Sequence, residues 1–68
     1  MEDYIQRMYD EEAALTDKVH KLRMFIYGPD NYIYVGLSSD HKSLMLKQLH
    51  YMDCYLEALR ARIRLEEV

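Results

Sequence analysis

The chain contains no tryptophan, one cysteine, one proline and two glycines, and each scarcity excludes something. A lone Cys54 forbids an intrachain disulfide, so the sequence reads as the product of a reducing cytoplasm. The 68 residues contain no run of about 18 apolar positions for a membrane span. The first twelve, MEDYIQRMYDEE, are acidic and helical where a secretory signal would be basic and then apolar. A formal net charge of -3 argues against binding duplex nucleic acid, whose affinity comes largely from neutralising phosphates with Lys and Arg. Neither a glycine-rich phosphate loop nor a Ser, His and Asp array is present, which argues against an enzyme.

Seven tyrosines and five methionines dominate what remains, a set suited to adaptable interfaces and to base stacking alike. From residue 3 to about residue 27, Ile5, Met8, Glu12, Leu15, Val19, Leu22 and Ile26 recur at intervals of three and four, the spacing of one helical face. Glu2 and Asp3 near its start, and Lys21 and Arg23 near its end, suit the helix dipole. Gly28 and Pro29 end it, glycine by accepting a left-handed cap and proline by breaking the hydrogen-bond ladder. Residues 28–39 form an unusually apolar connection with a strand-like centre, and Tyr32 or Leu37 is expected to fold back over the helix ends.

Ser38, Ser39 and Asp40 all suit an N-cap, so a second helix is expected from about residue 40 to 65. Its seam is Met45, Leu49, Met52, Leu56, Leu59 and Ile63. Beside it lies a rougher row, Leu44, Gln48, Tyr51, Tyr55, Ala58, Arg62 and Leu65, which makes the apolar arc wider than a two-stranded coil requires. Pairing Ile5 with Ile63, Met8 with Leu59, Glu12 with Leu56, Leu15 with Met52, Val19 with Leu49 and Leu22 with Met45 keeps the two seams in one antiparallel register. The expected fold is therefore all-α, an antiparallel two-helix hairpin with coiled-coil character, in one domain over residues 1–68. A core at this length rarely supplies more than about 3–5 kcal/mol without staples, and together with the second row this points to a homo-oligomer.

One flank of that hairpin gathers Tyr4, Glu11, Lys18 and Phe25 from the first helix beside Gln48, Tyr55 and Arg62 from the second, with Arg7 one turn from Tyr4 and Glu11. Tyr4, Arg7, Lys18, Gln48, Tyr55 and Arg62 form the candidate ligand site: tyrosines to stack on bases, cations for phosphates, and an amide for a base edge. The same composition also describes an ordinary subunit interface, where Tyr and Arg are enriched. Glu12, the one polar break in its seam, is expected to pair with Arg60 or Arg7, or to specify register and oligomeric state. His20, His41 and His50 lack the pairing of a helical metal site, and Cys54 sits at an outward position, so neither a metal site nor a cofactor is expected.

The pattern Tyr4, Arg7-Met8, Glu11, Leu15, Lys18, Leu22, Phe25-Ile26, Leu37, Gln48-Leu49, Met52, Tyr55, Leu59 and Arg62-Ile63 resembles that of small phage helical-hairpin proteins related to a crAss-like phage open reading frame. The resemblance covers nearly the whole chain. By architecture these hairpins are analogous to phage sponges, which oligomerise and trap the cyclic nucleotide signals of CBASS or Thoeris defence. It implies an immune-evasion protein of the host cytoplasm that binds a cyclic dinucleotide, a cyclic trinucleotide or a cyclic ADP-ribose without cleaving it. A structural or regulatory module that docks on another protein is the alternative from a different class.

Overall fold

The computed structural model describes residues 2–67. Helix α1 runs Glu2–Tyr27, a single-turn helix α2 spans Tyr32–Val35, and α3 runs Ser39–Glu66. Helix α3 returns antiparallel along α1: the Tyr4 hydroxyl reaches Glu66 near the chain ends, whereas Arg23 reaches Asp53 toward the connection. The elongated result measures 47 × 18 × 16 Å.

The buried residues are those of the two three-four seams. Leu15, Val19, Ile26, Leu49 and Leu56 form one cluster, with Leu22, Phe25, Tyr34, Met45 and Met52 packed against it. Met8, Leu59 and Ile63 form a second cluster toward the open end. Between the clusters, on α1, falls half-buried Glu12, so the single polar seam position coincides with the gap between them. Ile26 and Leu59 are the most enclosed, each 1% exposed.

Both helix ends at the connection depart from expectation in instructive ways. Gly28 does end α1, but no residue among those described has positive φ, so there is no left-handed cap. Its backbone N–H instead donates to the Met24 carbonyl at 2.8 Å, and a Cβ at this buried position would collide with that same oxygen. Glycine is needed here for close approach rather than for handedness. Lys21 and Arg23 do not occupy the last turn of α1; they pair with carboxylates of Asp17 at 3.0 Å and Asp53 at 2.6 Å.

The strand-like centre of the connection is the short helix α2. Asn31 anchors it by donating from Nδ2 to the Ile26 carbonyl at 2.8 Å. Tyr32 does not fold back: it is 73% exposed, and Tyr34 takes that place, meeting Phe25 edge-on with ring centroids 6.4 Å apart. Leu37 is half-buried. Ser38 caps α3, its Oγ accepting from the His41 N–H at 3.1 Å, so α3 starts one residue before the expected position.

Candidate functional site

The helices place Tyr4, Arg7 and Lys18 on α1 and Gln48, Tyr55 and Arg62 on α3, and all six are exposed. Their spacing keeps them on one flank of the seams, yet among the described residues none hydrogen-bonds another. The Tyr4 hydroxyl donates to Glu66 Oε1 at 3.5 Å, one turn beyond Arg62. Arg7 turns back along α1, its Nε donating to the Asp3 carbonyl at 3.3 Å. The Gln48 amide leans toward Met52 Sδ at 3.9 Å. Lys18, Tyr55 and Arg62 have no recorded polar partner among the described residues. Four hydrogen-bonding side chains are thus turned outward around two tyrosines, with their desolvation and ordering still available to a ligand or to another chain.

The opposite flank is wired internally. Glu12 Oε2 accepts from Arg60 Nε at 2.8 Å and from Thr16 Oγ1 at 3.2 Å, while Arg60 Nη2 donates to Thr16 Oγ1 at 3.1 Å. Of the two expected partners for Glu12, Arg60 is the one that engages and Arg7 does not. The Arg60 hydrogen bond holds the Glu12 carboxyl below its ordinary value, outweighing partial burial, which acts the other way. Tyr9 donates its hydroxyl to Glu67, and that bond to a carboxylate raises the phenol above its usual value. Arg23 and Asp53 complete this side.

A groove of about 470 Å³ lies along the start of α1, lined by Asp3, Ile5, Gln6 and Tyr9, and two more lie on this wired side. A groove of about 260 Å³ is lined by Tyr9, Glu12, Arg60, Ile63 and Arg64, and another of about 300 Å³ by Asp53, Leu56, Glu57, Arg60 and Arg64. Neither includes any of the six predicted residues. Arg64 and Tyr9 carried no signal in the sequence, because their proximity depends on how α3 crosses α1. Asp53 and Glu57 balance Arg60 and Arg64 in the second of these grooves, a poor start for holding an anion, whereas the first sets Glu12 alone against the two guanidiniums. Cys54 lies 3.7 Å from the ring nitrogen Nε2 of His50, one turn earlier. Among the described residues no three His, Cys, Asp or Glu side chains are grouped to hold a metal ion, and no helix is long and apolar enough to cross a membrane.

Fold and flank together define a small all-helical protein that presents an exposed surface of tyrosine, arginine and lysine. A family model described as Sequestin matches residues 2–65, and the chain belongs to that family. No curated protein and no solved structure matches the chain significantly.

Proposed function

We propose that this chain is a non-catalytic binding protein that assembles into a homo-oligomer and sequesters a cyclic nucleotide defence signal without cleaving it. The ligand class is a cyclic dinucleotide, a cyclic trinucleotide or a cyclic ADP-ribose isomer. In a phage-encoded setting such a protein silences CBASS or Thoeris signalling in the host cytoplasm. The match to the Sequestin family over residues 2–65 carries this reading, since that name denotes withdrawing a signal molecule from circulation. The outward flank supports it. Arg7, Lys18 and Arg62 offer charge-assisted bonds to phosphates, Tyr4 and Tyr55 offer faces to bases, and the Gln48 amide offers a base-edge partner.

A thermal-shift screen against cyclic di- and trinucleotides and cyclic ADP-ribose isomers tests the reading, because a ligand bound only by the folded state raises the melting temperature by mass action. Chromatography of the ligand released on denaturation then separates capture from cleavage: an unaltered nucleotide supports sequestration, and a shortened or opened one overturns it. The second reading, a module that docks on another protein, is favoured by the exposed Tyr27, Tyr32, Ile33 and Val35 around the connection. It prevails if no nucleotide shifts the melting curve.

A further inference from the structure

One row of α3 finds no cover in the hairpin. Leu44, Gln48, Tyr51, Tyr55, Ala58, Arg62 and Leu65 are all exposed, with Leu44, Tyr51, Tyr55 and Leu65 between 48% and 76% open. Their spacing alternates four and three from end to end, the repeat of a coiled-coil seam, and it is separate from the seam that packs on α1. Exposed seams of this regularity have an unmet partner of the same periodicity.

We propose that this row is covered by the same row of a second copy, running antiparallel about a two-fold axis at Tyr55. The proposal rests on the oligomeric part of the functional reading and names its interface. Reversing the row onto itself sets Leu44 against the partner's Leu65 and Gln48 against the partner's Arg62. It sets Tyr51 against the partner's Ala58, and Tyr55 against the partner's Tyr55. Apolar ends meet apolar ends, an amide oxygen meets a guanidinium, and the large ring lies over the smallest side chain. A parallel, in-register pairing has none of these matches: it sets Arg62 on the partner's Arg62, leaves a gap between two alanines, and crowds Tyr51 on the partner's Tyr51.

Area agrees. The chain exposes 5360 Å² at a mass of 8.2 kDa, whereas a folded monomer of that mass exposes about 4500 Å². The excess is close to the roughly 800 Å² that each partner contributes to an interface of standard size. The two-fold also brings the partner's Arg62 alongside Gln48 at each end of the contact. In this dimer Tyr55 and Arg62 serve the seam between copies rather than direct nucleotide contact, and Tyr4, Arg7 and Lys18 remain outside it for the ligand.

Light scattering from about 1 to 200 μM, with cysteine pairing in a Cys54→Ser background, tests the interface independently of any nucleotide. Expected are a mass of at least twice 8.2 kDa, and, on mild oxidation, efficient cross-linking when Leu44→Cys and Leu65→Cys chains are mixed. Tyr55→Cys chains should cross-link alone. Leu44→Cys chains alone should cross-link at least tenfold less than the mixture. Tyr51→Lys, at a position exposed in the hairpin, should lower the mass to one chain with helicity unchanged by circular dichroism. A single-chain mass throughout overturns both assembly and interface. A multimer in which Leu44→Cys self-pairs, or in which Tyr51→Lys changes nothing, overturns the interface alone.

Discussion

Along one flank of the hairpin Tyr9, Glu12, Thr16 and Arg23 of α1 each hold a partner on α3, through Glu67, Arg60 and Asp53. Along the other, Lys18, Tyr55 and Arg62 hold none among the described residues, and only Tyr4 reaches across, to Glu66. The residue types on the two sides are similar: tyrosine, arginine and carboxylate occur on both. What differs is the phase of opposite charges across the helix pair. Where Glu12 faces Arg60 and Arg23 faces Asp53, the polar groups satisfy each other and fix the helices in register. On the other flank Lys18 and Arg62 close no ion pair among the described residues, and the same chemistry stays available for contacts outside the chain.

Substitutions separate the roles of the two flanks. The largest effect is expected where both flanks share their floor: Leu59→Ala, at a position 1% exposed, should cost about 2–5 kcal/mol, enough to lose the helical signal of a chain this small. Next, Arg7→Ala or Lys18→Ala on the open flank should weaken nucleotide affinity roughly tenfold to a hundredfold, read by calorimetric titration, with the melting temperature unmoved. Binding equal to the parent in both variants removes the open flank from the ligand site. On the wired flank the pattern reverses: Arg23→Ala should lower stability by about 0.2–1 kcal/mol, in the range of exposed ion pairs, as seen by urea titration, and leave nucleotide affinity alone.

The smallest expected effect is on pH dependence. The folded-state value of Glu12 is lowered from its ordinary 4.5, chiefly by Arg60. Its contribution is therefore present in full above 4.5 and is lost as pH falls through the lower folded value. Melting curves of the parent and Glu12→Gln should differ at neutral pH and converge below that window. A difference that grows on acidification contradicts the Arg60 assignment.

The helices were legible because their seams repeat for about six turns in α1 and as regularly in α3, with Glu12 standing out as the one polar position in its seam. The connection was not legible to the same degree. Tyr32, Ile33, Tyr34 and Val35 are aromatic and β-branched, and a run of four such residues does not distinguish a strand from one turn of helix. Gly28 was read correctly as a stop for an incorrect reason, since a steric conflict with the Met24 carbonyl leaves no trace in a sequence. For the candidate site, spacing placed the six residues on helices and on one flank. It did not indicate the grooves at Arg60 and Arg64, which depend on the crossing geometry, nor the choice of Arg60 over Arg7, which depends on rotamers.

The division of the apolar interior at Glu12 bears on how the molecule opens. The cluster of Leu15, Val19, Ile26, Leu49 and Leu56 adjoins the connection, where little chain separates the two helices and closure is entropically cheap. The Met8, Leu59 and Ile63 cluster lies beyond the polar layer, at the end away from the connection. Its detachment exposes three side chains and leaves the larger cluster intact, whereas the reverse order would have to open a closed loop. The hairpin thus behaves as a zipper with its slider at the connection. Amide hydrogens near Met8 and Ile63 should exchange by local opening, those near Val19 and Leu49 only when the whole chain unfolds, and the Glu12 to Arg60 bridge marks the boundary between the two rates.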